Sequence, residues 1–422
     1  MVPKDIPFLR QMAADLVEAS RVRPGEMVGT YGPNTTGGTL IRPGGRDCYP
    51  AFWIRDYAMS LDCGLITPEE QEHALLLTAR LQADADRHTR SGGQILRGSI
   101  ADHITFDGLP IFYPGTLDDY EGQGGPWGPL PPFDNAFFFI FIAWKLAIFH
   151  GREALLSMPV NGVTLGERLH LAFASVPGDP QTGLVKCTRA NRGVSFGFMD
   201  TVYHTGKLLF ASLLKWQAAR RMEEISHILK ETERAQQYRE THQRIQETLP
   251  GTFSHPSGLL GASTDLSQQV DAWGSAYAVY CGILPWQQSR AVSGALADLY
   301  RQERLAWNGA IRHVPVGMDF SEETCWERVV GGFRRDTYQN GAYWSTPTGW
   351  MIYAIEKGDQ EAAFQLADEY IAELRAGDYR QGESFGSPWE CAHPQGNHRQ
   401  NPVYMASVTA VLPELLYLVH DD

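Results

Sequence analysis

Two acidic residues stand in surroundings where a carboxyl group can do more than cap a helix or carry surface charge. Asp200 lies in FGFMDTVYHTG (196–206), between a glycine-aromatic run and the apolar segment KLLFASLLKW. Glu390 lies in GESFGSPWECAHPQGNHRQNP (382–402), between Trp389 and a Pro/Gly-rich turn. Hydrolysis of a glycosidic bond uses two such groups. One protonates the leaving oxygen, and the other activates water or attacks the anomeric carbon. Each residue also has a plain reading. An aspartate ahead of an apolar helix is an ordinary N-cap, and a loop glutamate is an ordinary surface charge. Asp200 carries a further condition. A helix N-terminus favours the ionised carboxylate, against the raised pKa a general acid needs.

The elements that must position these acids read as helices. Amphipathic segments are expected at 4–20, 68–86, 152–175, 217–248, 287–304 and 359–375, with apolar positions at helical spacing and charge on the opposite face. Between them lie segments apolar nearly all round, starting near 53, 134, 200, 271, 340 and 402. A helix without a polar face must be surrounded by protein. Six of each kind in alternation predict an all-α (α/α)6 toroid in one domain spanning 1–422, with little strand. The links from amphipathic to buried segments are long and rich in Gly, Pro and aromatics (22–52, 87–132, 176–199, 249–270, 305–339 and 376–401), and the reverse links are short. Long loops in a compact domain usually carry function. All six are expected on one face, at the N-terminal ends of the inner helices, walling a cleft.

Acids, amides and aromatics recur at those starts: Trp53, Arg55 and Asp56; Asp134; Asp200 and Tyr203; Asp271 and Trp273; Gln339, Asn340 and Trp344; and, in the last loop, Trp389 with Glu390. Gathered in one cavity they suit a sugar, whose hydroxyls bond carboxylates and amides and whose ring stacks on aromatic faces. Asp200 and Glu390 are the expected catalytic pair, with Asp271 the alternative acid, and the others are expected to bind substrate. His204 lies one helical turn past Asp200 and can face the same cavity or be structural. His103, His393 and His398 lack metal-ligand spacing, and neither a metal nor a cofactor is expected.

Composition suits neutral or cationic ligands better than polyanions. Eleven tryptophans and seventeen tyrosines supply aromatic platforms, and a net charge of −13 with no basic run argues against nucleic acid. The six cysteines are scattered singly and read as reduced thiols. No apolar run is long enough to span a bilayer. A soluble, cytoplasmic chain with a small-molecule partner is the expectation, and the sequence leaves the oligomeric state open.

The segments WIRDYAM, YQNGAYW (338–344) and PWECAHPQG resemble those of six-hairpin glycosidases, most closely the inverting glucosidases of glycoside hydrolase family 63 and its clan, with glucoamylases more distant. The resemblance runs along nearly the whole chain through short motifs. It implies that Arg55 and Asp56, in the W-x-R-D run, hold the sugar at the cleaved site. It implies a general acid at Asp200, although Thr-Val-Tyr follows where the family run has Asn-Ser, and a general base at Glu390, in an E-x-x-x-P-x-G-like run. The resulting expectation is an inverting, exo-acting hydrolase of an α-glucoside or related short oligosaccharide. Competing readings are a sugar epimerase, which needs paired histidines, a uronate-specific hydrolase or lyase, for which Arg55, Arg334 and Arg335 are candidates, and a non-catalytic sugar-binding scaffold.

Overall fold

The structure is a computed structural model that describes residues 5–46, 48–115, 124–395 and 398–420. Its α-helices are α1 (Ile6–Ser20), α2 (Ile54–Met59), α3 (Pro68–Leu81), α4 (Asp134–Trp144), α5 (Leu165–Ala174), α6 (Leu209–Ile228), α7 (Thr232–Thr252), α8 (Ala272–Cys281), α9 (Trp286–Arg301), α10 (Thr348–Glu356), α11 (Gln360–Ala376), α12 (Ala406–Thr409) and α13 (Leu412–His420). None is long and apolar enough to cross a membrane.

Burial follows the apolar pattern. In α4 every residue from Asp134 to Ala143 is buried, as the run DNAFFFIFIA requires of a helix with no polar face. In α9 only one side is buried, through Val292, Leu296, Leu299 and Tyr300. The buried helices touch in succession: α2 on α4, α4 on α6, α6 on α8, α8 on α10, α10 on α13, and α12 back on α2. Amphipathic helices pack outside them, α3 and α5 on α4, α7 on α6, α9 on α8, α11 on α10 and α1 on α12 and α13.

Three expectations on the helices change. Of the span 152–175 only Leu165–Ala174 is α-helix, preceded by a 3₁₀ segment, Glu153–Ser157, and a hairpin that pairs Pro159–Val160 with Val163–Thr164. The span 217–248 is not one outer helix. It is cut at Lys230, whose φ of 62° breaks the helical path, and its first part completes the long α6. The third, fifth and sixth buried helices begin at Leu209, Thr348 and Ala406 rather than near 200, 340 and 402.

The expectation of little strand also understates the structure. An antiparallel five-stranded sheet joins Ala306–Trp307, Ala310–Ile311, Tyr343–Trp344, Trp389–His393 and His398–Pro402, in that order. A three-stranded sheet joins Ala51–Trp53, His103–Thr105 and Pro110–Ile111. Each strand is two to five residues long, too short for period-two alternation to stand out in a chain dominated by helical patterning. These sheets carry Trp53 and Glu390 into the site. Residues 116–123, part of one loop expected to wall the cleft, lie outside the described residues.

Candidate active site

A cavity of about 450 Å³ is lined by Tyr49, Trp53, Arg55, Asp56, Trp127, Phe198, Asp200, Thr201, Phe333, Tyr338, Glu390, Asn401 and Tyr404, among others. It is built around a buried cation. Arg55 donates from Nε to Asp134 Oδ2 at 3.0 Å, and from Nη2 to Asn135 Oδ1 at 2.9 Å and to Asp102 Oδ1. Both acids are fully buried. The charge beside it holds Asp102 down at about 2 even though burial pushes the other way. Asp134 Oδ2 also accepts from Gly197 N at 2.8 Å, so the clamp around Arg55 reaches the stretch that carries Asp200. A Cβ at Gly197 would fall 1.7 Å from Arg55 Nε. Only glycine lets the backbone approach the guanidinium this closely.

Asp200 does not start an α-helix. It closes a single 3₁₀ turn, Gly197–Met199, and α6 begins only at Leu209. The macrodipole that would have favoured its ionised form is therefore not there. Gln339 holds the turn from two sides, accepting from Thr201 N and Oγ1 at 2.8 Å each and donating to Gly197 O at 3.3 Å. Asp200 is buried, and its Oδ1 has no hydrogen-bond partner among the described residues. Burial raises its pKa to about 7 against the attraction of Arg55.

Glu390 stands on the strand Trp389–His393, not in an irregular loop. Both of its oxygens accept hydrogen bonds, Oε1 from Tyr49 Oη at 2.5 Å and Oε2 from Asn401 Nδ2 at 2.6 Å. Burial raises Glu390 to about 8, opposed by these two donors. Hydrogen bonding distinguishes the two acids, while burial leaves Glu390 the higher of the two. Donors to both oxygens favour the charged form of Glu390, whereas Asp200 keeps one oxygen without a partner among the described residues, and hydrogen bonding from Gln339 and Thr201 only partly offsets its burial. Asp200 is among the groups that raise Glu390, so the charge on one acid bears on the other. A third carboxyl, Asp56, is buried, accepts from Tyr404 Oη and is raised by burial to about 6.

Solved structures share this architecture. A GH63 mannosylglycerate hydrolase from Thermus thermophilus, in complex with glucose, matches with a TM-score of 0.59 at 12% identity, over 96% of this chain and 99% of that one. A rhamnosidase from Klebsiella oxytoca with rhamnose bound matches with a TM-score of 0.54 at 14% identity, over 97% of this chain and 63% of that one. The fold is shared with glycoside hydrolases. No protein-family model matches the sequence, and no curated protein matches it.

Within this glycosidase-like fold the expected site residues part company. Trp53, Arg55, Asp56, Asp200 and Glu390 line the cavity. Asp134 lies behind it as a ligand of Arg55, and Gln339 lies behind it as the brace of the Asp200 turn. The remaining expected binding residues are outside the lining, each for a visible reason. Asp271 is the N-cap of α8, accepting from Gly274 N at 2.8 Å. Its burial raises it to about 7, and it is outside the lining of the cavity that holds Asp200 and Glu390. Trp273 is fully buried and stacks on His313 at 3.4 Å. Tyr203 packs its ring against Arg192 at 4.0 Å and Arg328 at 4.3 Å. Asn340 ties a loop together through Cys325 N and Phe333 O. Trp344 is fully buried and donates to Tyr338 O at 3.3 Å. Trp389 faces a separate small cavity beside Trp307 and Glu373, as strand alternation demands of the neighbour of Glu390. His204 is packed edge-on to Trp326 and held down at about 3 by burial. It does not face the acids.

The residues missed from sequence are the phenols Tyr49, Tyr338 and Tyr404, the acid Asp102, and His103, whose ring stacks under Trp53 at 4.3 Å. Tyr404 lies in NPVYM, read only as the head of a buried helix. A polar tip on an otherwise apolar segment was the available signal.

Proposed function

We propose that this chain is a glycoside hydrolase acting by inversion on an α-glucoside or related short oligosaccharide, from one end. Asp200 is the general acid and protonates the glycosidic oxygen. Glu390 is the general base and takes a proton from the water that attacks the anomeric carbon on the opposite face. Trp53, Arg55 and Asp56 hold the sugar at the cleaved bond. The observation that carries this reading is the pairing, in one cavity, of Asp200, which burial raises and whose Oδ1 has no partner among the described residues, with a doubly hydrogen-bonded Glu390. The cavity volume lies within the range of about 300–1,000 Å³ usual for small-molecule sites. Inversion requires the two carboxyl groups to stand about 6.5–9.5 Å apart, with water between them.

The matching fold supports the same class of chemistry, and the neighbours are solved with glucose and with rhamnose. The closed succession of buried helix contacts supports an (α/α)6 toroid, and one hydrophobic core running from Leu9 to Leu418 supports a single domain. Of the residues that the alternative enzyme readings would use, only Arg55 lines the cavity, and it is bonded to Asp102 and Asp134. The buried His204 and His313 lie outside the cavity lining, as do Arg334 and Arg335.

The test is a panel of alkyl and aryl glycosides and natural disaccharides, with the first-formed anomer followed by proton NMR. Turnover of an α-glucoside with release of the β-anomer is expected. Retention of configuration, or no turnover across the panel, contradicts the proposal.

A further inference from the structure

The cavity is chemically divided. Arg55, Asp56, Asp200 and Glu390 are buried, whereas Gly115 is exposed and Trp127 and Phe333 are half-buried. The two aromatic rings come from different loops and are set side by side by glycine. A Cβ at Gly331 would lie 2.8 Å from the Phe333 ring and 3.5 Å from the Trp127 ring, and one at Gly115 would lie 2.8 Å from the Trp127 ring. Both glycines have a φ of 81°, a conformation that side chains resist. Phe333 in turn stacks on Tyr338 at 4.8 Å and 30°. The open side of the cavity is thus a packed aromatic shelf.

Charge restricts what can rest there. Arg55 is the one Lys, Arg or His among the described lining residues, and it is bonded to two carboxylates, Asp102 and Asp134. Asp56, Asp200 and Glu390 complete the charged lining. A ligand carboxylate would meet a lining that also holds the acids Asp56, Asp200 and Glu390 and would find no uncommitted cation among the described residues, which disfavours it. An uncharged ring loses little on entry and gains contact with the aromatic faces.

We infer that the leaving group of the substrate is an uncharged ring, a second sugar or an aryl group, seated against Trp127 and Phe333, and that these two residues set specificity for it. The inference rests on the glycosidase reading and adds the class of aglycone. For the sugar that the glycoside panel identifies, three alkyl glycosides separate the effects: cyclohexyl, isopropyl, and the glycoside of glyceric acid. The wild-type kcat/KM for the cyclohexyl glycoside is expected to exceed that for the glycerate by at least about tenfold. Trp127→Ala is expected to raise KM for the cyclohexyl substrate about tenfold and for the isopropyl one less than about twofold, the size of one aromatic contact. Trp127→Phe, which keeps a ring, is expected to stay within about threefold of wild type on both.

Equal or better turnover of the glycerate overturns the inference. So does a Trp127→Ala effect of the same size on both uncharged substrates, or a Trp127→Phe loss as large as that of Trp127→Ala. These outcomes leave the glycosidase reading intact. That reading fails separately, at the panel, if no glycoside is cleaved.

Discussion

Tyr49 Oη donates to Glu390 Oε1 at 2.5 Å, joining two residues that lie 341 positions apart in the chain. With Asn401 on the other oxygen, the phenol is half of the hydrogen-bonding that opposes burial and favours the carboxylate form of Glu390. Removing it must therefore raise the pKa of Glu390 further. Tyr49→Phe is expected to move the acidic limb of the kcat/KM profile to higher pH. At pH 6 it should cost about tenfold, the worth of one hydrogen bond to a charged group, and less at alkaline pH. An unshifted limb would mean that Tyr49 does not act through Glu390.

Gly197 brings the backbone of the Asp200 turn against Arg55, leaving no space for a methyl group. Gly197→Ala is expected to cost about 2–3 kcal/mol, the upper range for an overpacked core, and to lower activity, because the same displacement moves Asp200. Urea unfolding and kcat measured together check this. A variant of wild-type stability would contradict the clamp.

Asp271 separates capping from catalysis. It accepts from Gly274 N at the start of α8 and lies outside the cavity lining. Asp271→Ala is expected to lose about 1 kcal/mol of stability, as for other N-caps, with kcat per folded molecule within about threefold of wild type. Asp271→Asn, which can still cap, is expected to lose little of either. Loss of turnover in well-folded Asp271→Asn would restore it as the candidate acid.

Burial of Glu390 also couples stability to pH. Its folded pKa, about 8, lies above the unfolded value of about 4.3. Between those values the folded chain binds more protons than the unfolded one, so this group's contribution to stability falls as pH rises through the window. Glu390→Gln removes the effect. Its stability is expected to match wild type near pH 5 and to exceed it near pH 9 by at least about 1 kcal/mol, roughly the equivalent of one pKa unit. Thermal unfolding at the two pH values checks the sign, and a wild-type advantage at pH 9 would contradict it.

Much of the helical frame is legible in the sequence, because α4 and α9 announce their surroundings by having no polar face or a clear one. The starts at Ile54, Asp134 and Ala272 fall where the apolar runs begin. Legibility fails where local and long-range determinants diverge. Asp200 precedes an apolar run and so reads as a helix start. Its conformation is instead imposed by Gln339 and by the Arg55 clamp, from far along the chain. Asp271 looks the same locally and really is a cap. The partners that distinguish the two acids, Gln339 for one and Gly274 for the other, differ in distance along the chain and not in local pattern. Tyr49 and Tyr404 are invisible as site residues for the same reason, since their acids lie more than 300 positions away. Trp273 and Trp344 show the opposite error, because an aromatic residue near a helix start is as easily core as platform.

The assignment of acid and base is tested most directly by the leaving-group dependence of kcat/KM in Asp200→Asn and Glu390→Gln, comparing an alkyl glycoside with the glycosyl fluoride of the same sugar. Fluoride departs without protonation, so only the alkyl substrate needs a general acid. Asp200→Asn is expected to lose at least about 100-fold on the alkyl glycoside and less than about tenfold on the fluoride, whereas Glu390→Gln is expected to lose at least about 100-fold on both. Equal losses on the two substrates in Asp200→Asn, or recovery on the fluoride in Glu390→Gln instead, would contradict the account.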